Sequence, residues 1–135
     1  VIFAKALTVP AATAADSPVE AEIELAVGII HKVEITFLDG PENEVHVVVK
    51  RPGLHQIFPT HEGSIVGNAI TVEAVLDEPV EESPLKVVVQ AWSPDAGFAH
   101  EVTVRVHVLD RKLLHPPNET VPLIRKLSRA ILGGS

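Results

Sequence analysis

The chain has 135 residues, 46% of them apolar, no cysteine and a formal net charge of −7. That length suits one domain with a short appendage and a core that stands without staples, and the missing cysteines exclude disulfides and thiolate metal sites. No apolar run approaches the roughly 20 residues of a membrane helix, and an acidic body repels phosphate backbones and anionic lipid, so neither nucleic acid nor membrane is an expected partner.

The charge is unevenly placed. Residues 1–109 hold 16 acidic and 6 basic side chains, a net −10, whereas residues 110–135 hold 2 acidic and 5 basic ones, a net +3. Valine and isoleucine dominate the apolar set, and the aromatic residues are only Phe3, Phe37, Phe58, Phe98 and Trp92. This composition suits pleated surfaces, and it leaves few aromatic faces for stacking sugars or bases.

Ile2 to Val9 reads as a first strand, followed by Pro10 to Pro18, where two prolines and the Asp16-Ser17 pair interrupt the pattern. Residues 1–18 are therefore taken as an N-terminal strand or arm. Val19, Ala21, Ile23 and Leu25 alternate with Glu20, Glu22 and Glu24, a strand that shows its carboxylates to solvent. After Gly28, the residues Ile29, His31, Val33, Ile35 and Phe37 share a face, and a turn at Asp39-Gly40-Pro41 precedes Val45, Val47 and Val49. The two runs are expected to pair as a hairpin with Phe37 opposite Val45.

From Arg51 to Asn68 the alternation stops, as in the long crossing between sheets of a Greek key. Ile70, Val72, Ala74 and Leu76 resume it, then an acidic bend runs from Asp77 to Pro84, and Leu85, Val87, Val89 and Ala91 form another strand. Val88 and Trp92 on its other face suggest a strand covered on both sides or lying beside a partner. The last strand is the clearest, with Val102, Val104, Val106 and Val108 against Glu101, Thr103, Arg105 and His107. Residues 19–109 thus read as an all-β, antiparallel β-sandwich, jelly-roll-like or Greek-key-like.

Residues 110–135 change character. His115-Pro116-Pro117 is a stiff spacer, Asn118 or Thr120 is a candidate N-cap, and Pro122 fits a first helical turn. Leu123, Ile124, Leu127, Ala130 and Ile131 then line one helical face, and Arg125, Lys126, Ser128 and Arg129 the other. So short an amphipathic basic helix needs a surface to dock on, its own sandwich or a neighbouring subunit. Gly133-Gly134-Ser135 reads as a flexible linker, natural or left from expression.

Little here spells out a reaction. The seven histidines, His31, His46, His55, His61, His100, His107 and His115, have no metal-ligand spacing, and polar loop histidines are the better reading of His55 and His61. No serine lies in a GxSxG or SxxK context, Asp77-Glu78 and Glu81-Glu82 stand in a proline-bounded turn, and Gly63 to Gly67 lacks the lysine of a P-loop. Asn118-Glu119-Thr120 matches a glycosylation sequon and is read as a capping segment. Neither catalysis, nor a metal, nor a cofactor is expected.

HQIFPTHEGSIVGN at 55–68 and AWSPDAGFAHEVTVRVHVL at 91–109 resemble small tailed-bacteriophage virion proteins, in which an N-terminal arm precedes a "QI-aromatic-PT" crossing and an "AWN-D" turn opens the last strand. Gln56, Ile57, Phe58, Pro59, Thr60, Ala91, Trp92 and Asp95 match, Ser93 replaces the asparagine, and the likeness covers roughly residues 8 to 109. The resemblance implies a capsid-associated structural protein of the virion, most concretely a decoration protein cementing a phage shell. The expected partners are further copies of itself, a homotrimer being favoured, and a larger assembly such as a capsid. The contact residues expected are Ile2, Phe3, Leu7 and Val9 in the arm, and Leu123, Ile124, Arg125, Lys126, Leu127, Arg129 and Ile131 in the helix. The rival reading is an adhesin or carbohydrate-binding module using the 51–68 loop and Trp92. A metal-dependent enzyme of cupin type would need His55, His61 or His100 to converge.

Overall fold

A computed structural model of the chain describes residues 1–53, 55–60 and 62–110. The expected helix, with Leu123, Ile124, Arg125, Lys126, Leu127, Arg129 and Ile131, lies outside the described residues. Eight strands follow one another: β1 (Ile2–Val9), β2 (Val19–Glu24), β3 (Gly28–Phe37), β4 (His46–Lys50), β5 (Gln56–Phe58), β6 (Ile70–Val80), β7 (Lys86–Trp92) and β8 (His100–Leu109). They form two four-stranded antiparallel sheets, ordered β1-β8-β3-β6 and β2-β7-β4-β5.

Alternation drives this arrangement. Along β8, Val102, Val104, Val106 and Val108 are at most 3% exposed, while the intervening residues face out. Val33, Ile35 and Phe37 of β3 lie opposite Val106, Val104 and Val102, and join Val47, Val49, Val87 and Val89 of the other sheet in one core. Each fully buried valine or isoleucine contributes about 1.5–3 kcal/mol relative to exposure. Every connection except β4–β5 changes sheet, so the core is closed by strands distant in sequence.

Three expectations need correction. Phe37 and Val45 do not face each other in a hairpin: β3 pairs with β6 and β8, and β4 pairs with β5 and β7. Both runs do present their apolar sides to the core, but from opposite sheets, so periodicity alone fits either arrangement. A bulge between Ile30 and Lys32 then turns Ile30 inward, fully buried, and leaves His31 half-buried beside His107. The acidic bend, finally, starts only at Glu81, because β6 continues through Asp77, Glu78 and Pro79 to the buried Val80. Proline is tolerated there because β6 is an edge strand whose outer N–H groups have no ladder partner.

The strand ends sort the loops. Residues 10–18, 38–45, 59–69 and 93–99 link the strands at one end of the two sheets, and residues 25–27, 51–55 and 81–85 link them at the other. The described chain ends at that second end, at Asp110. There Gly28 packs so closely on β8 that a Cβ would lie 2.5 Å from the Leu109 carbonyl oxygen.

Candidate interaction surfaces

Ile2–Val9 is not a free arm. It pairs with β8 along its whole length, from Ile2 opposite His107 to Val9 opposite His100. Leu7 and Val9 point into the core at 8% and 0% exposure, and Phe3 packs against it, so of the four expected arm contacts only Ile2 is exposed. Lys5 shares the inward parity of Phe3 and Leu7, and its ammonium donates to the Glu22 carbonyl of β2 at 3.3 Å. A charge at this position closes the seam between the sheets and blunts the β1 edge against another strand.

The opposite seam, between β5 and β6, holds a second charged plug. Glu78 shares the inward parity of Leu76 and Val80, and its carboxylate meets His55 Nε2 at 3.1 Å and Arg51 Nε at 3.9 Å. Arg51 is 7% exposed and also donates through Nη1 to the Lys86 carbonyl. A cleft of about 250 Å³ beside this group is lined by His55, Gln56, Thr60 and Asp77 over Ile57 and Leu76. It falls below the roughly 300–1,000 Å³ usual for small-molecule sites. Glu78, expected in a proline-bounded turn, stands on β6 instead. The signal that places it was the unbroken alternation Val72, Ala74, Leu76, Glu78, Val80.

Polar groups on the outer face of the β1-β8-β3-β6 sheet bond largely to one another. His107 Nε2 pairs with Glu34, Arg105 donates to Thr36 Oγ1 at 3.0 Å, and Thr36 and Thr71 hydroxyls lie 3.0 Å apart. Lys32 bridges Glu73 at 3.0 Å and approaches Glu34 at 4.0 Å. The hydrogen bond to Glu73, then the charges of Glu73 and Glu34, outweigh desolvation and raise the Lys32 pKa above its usual value. His31 Nδ1 lies 3.2 Å from the His107 carbonyl, and the two rings meet edge to face.

On the other sheet, two of the β2 carboxylates find partners on β7: Lys86 pairs with Glu22 and Gln90 donates to Glu20. Trp92 is half-buried and stacks flat on His46 at 5.6 Å between centroids, while His46 Nδ1 and Ser64 Oγ are 2.8 Å apart. One face of the tryptophan is thereby occupied from within. No three His, Asp or Glu side chains converge as a metal site among the described residues. His61, part of the expected metal or loop cluster, lies outside them.

The loop end nearest the start of β8 is built differently. Thr13 pairs with Ser93, and Ala12 N–H donates to the Ala96 carbonyl, tying loop 10–18 to loop 93–99. Asn68 Oδ1 accepts from the Gly40 and Glu42 amides at 2.8 and 3.0 Å, tying loop 38–45 to loop 59–69. On this knitted frame stand four exposed apolar side chains, Phe98 at 78%, Leu38 at 56%, Ile70 at 51% and Val66 at 37%. The same four loops carry six carboxylates, Asp16, Asp39, Glu42, Glu44, Glu62 and Asp95, and no lysine or arginine. Exposed apolar side chains among loops of one charge sign are the makings of a protein contact.

No family model matches the chain, and no curated protein matches it. Among solved structures, one chain from "Bacillus endospore appendages form a novel family of disulfide-linked pili" aligns over 81% of this chain and 88% of its own, at 16% identity and a TM-score of 0.40. A likeness that loose carries no argument about fold or function.

Proposed function

We propose that the chain is a non-enzymatic structural protein that acts by joining a larger protein assembly, as a symmetric homo-oligomer with a trimer favoured. Its most concrete form is a capsid decoration protein cementing a phage shell. The strand order β1-β8-β3-β6 over β2-β7-β4-β5 supports a jelly roll, an architecture that capsid proteins share with lectins and cupins. The observation that carries the reading is the composition of one end, where Phe98, Leu38, Ile70 and Val66 stand in water among loops that hold six carboxylates and no lysine or arginine. Val75 on β6 and Val1, Ile2 and Val27 at the other end are exposed as well, without that single charge sign around them. An exposed phenylalanine at 78% is costly to hydration unless a partner covers it.

Light scattering during size exclusion tests this. The full chain is expected to run at a multiple of its 14.5 kDa mass, and a chain ending at Asp110 at its own single-chain mass. A single-chain mass for the full protein at every concentration overturns the proposal.

A further inference from the structure

Resting on that assembly reading, we propose that segment 111–135 of one copy docks on the acidic, apolar loop end of a second copy, joining the chains head to tail. Charge complementarity is the first support. The loop end has six carboxylates and no lysine or arginine, while residues 111–135 carry Arg111, Lys112, Arg125, Lys126 and Arg129 against the one acid Glu119. Apolar complementarity is the second, because Leu123, Ile124, Leu127 and Ile131 match Phe98, Leu38, Ile70 and Val66 in kind. An amphipathic segment laying its apolar side chains on exposed apolar ones is a recurring mode of recognition.

Direction selects the second copy. Asp110 ends the described chain at the far end of β8, a 10-residue strand about 34 Å long at roughly 3.4 Å per residue. The 13 steps from Asp110 to Leu123 reach at most about 43–47 Å fully stretched. Returning to its own loop end would hold about three-quarters of the fully stretched linker straight beside the sheet, an ordering that a copy ahead does not require. A copy placed beyond Asp110 presents its loop end directly ahead. A contact between unlike surfaces is heterologous: it closes as a ring, such as a trimer, or runs on as a filament.

The test uses full-length chains. One variant combines Phe98→Ser, Asp95→Lys and Glu42→Lys at exposed loop positions, and the other combines Arg125→Glu, Lys126→Glu and Arg129→Glu. Each alone is expected at the 14.5 kDa single-chain mass by light scattering. Mixed in equal amounts, they are expected to give a species of twice that mass, because one intact tail meets one intact loop end and growth stops. For the wild type, the apparent assembly constant is expected to weaken about tenfold between about 0.05 M and about 0.5 M salt. Either variant keeping the wild-type mass, or a mixture that stays at the single-chain mass, overturns the head-to-tail contact. Salt-independent assembly does the same. A wild type that assembles while both variants also assemble sinks this contact and leaves the assembly reading standing. A wild type that never assembles sinks both.

Discussion

At the residue scale, Arg51 shows how the seam between sheets is held. A guanidinium this buried needs its partners, and Glu78 together with the Lys86 carbonyl supplies them. Glu78→Ala is expected to destabilise the fold by about 1–3 kcal/mol, read from urea unfolding, because it leaves a charged donor under-paired. Replacing Arg51 by methionine in the same chain is expected to recover part of that loss. Lys32 gives a pH signature. Its pKa is raised by Glu73, so its contribution is complete below the unfolded value near 10.4 and is lost as pH climbs through the higher folded one. The stability difference between wild type and Lys32→Gln is therefore expected to be flat from neutral pH to about 9 and to shrink above about 10.5. A difference that grows with alkalinity would contradict the assigned partners.

At the scale of elements, close packing and edge protection make the sharpest expectations. Gly28→Ala forces a Cβ against the Leu109 carbonyl and the Val108 side chain, so the β3–β8 pairing must shift, at a cost of about 1–3 kcal/mol in denaturant unfolding. Lys5→Val removes the inward charge from edge strand β1, and its soluble fraction on heating is expected to fall below that of wild type. Strands were legible where polar and apolar residues alternate without interruption, as in Val102 to Val108. Partners were less so, because β3 and β4 satisfy the same parity whether they pair directly or face each other across a core. The bulge at His31 was hidden by two adjacent isoleucines that fill either register. Residues Gln56–Phe58 form a strand too short for periodicity to mark. Glu78 was missed because Pro79 was read as a break, although proline suits an edge strand. The loop end was out of reach altogether, since its six carboxylates come from four loops that only the sheet crossings bring together.

At the scale of the whole molecule, the described body holds the core between Phe3 and Val108, with exposed Phe98, Leu38, Ile70 and Val66 at one end and the last described residue, Asp110, at the other. A chain ending at Asp110 is accordingly expected to lose self-association, and with it any concentration dependence of its unfolding midpoint. The most direct measurement is the solution mass of the intact protein across a concentration series, by light scattering or sedimentation. A mass that rises from one chain to a discrete multiple, or onward to a filament, is the predicted result. A mass fixed at 14.5 kDa throughout would contradict the account.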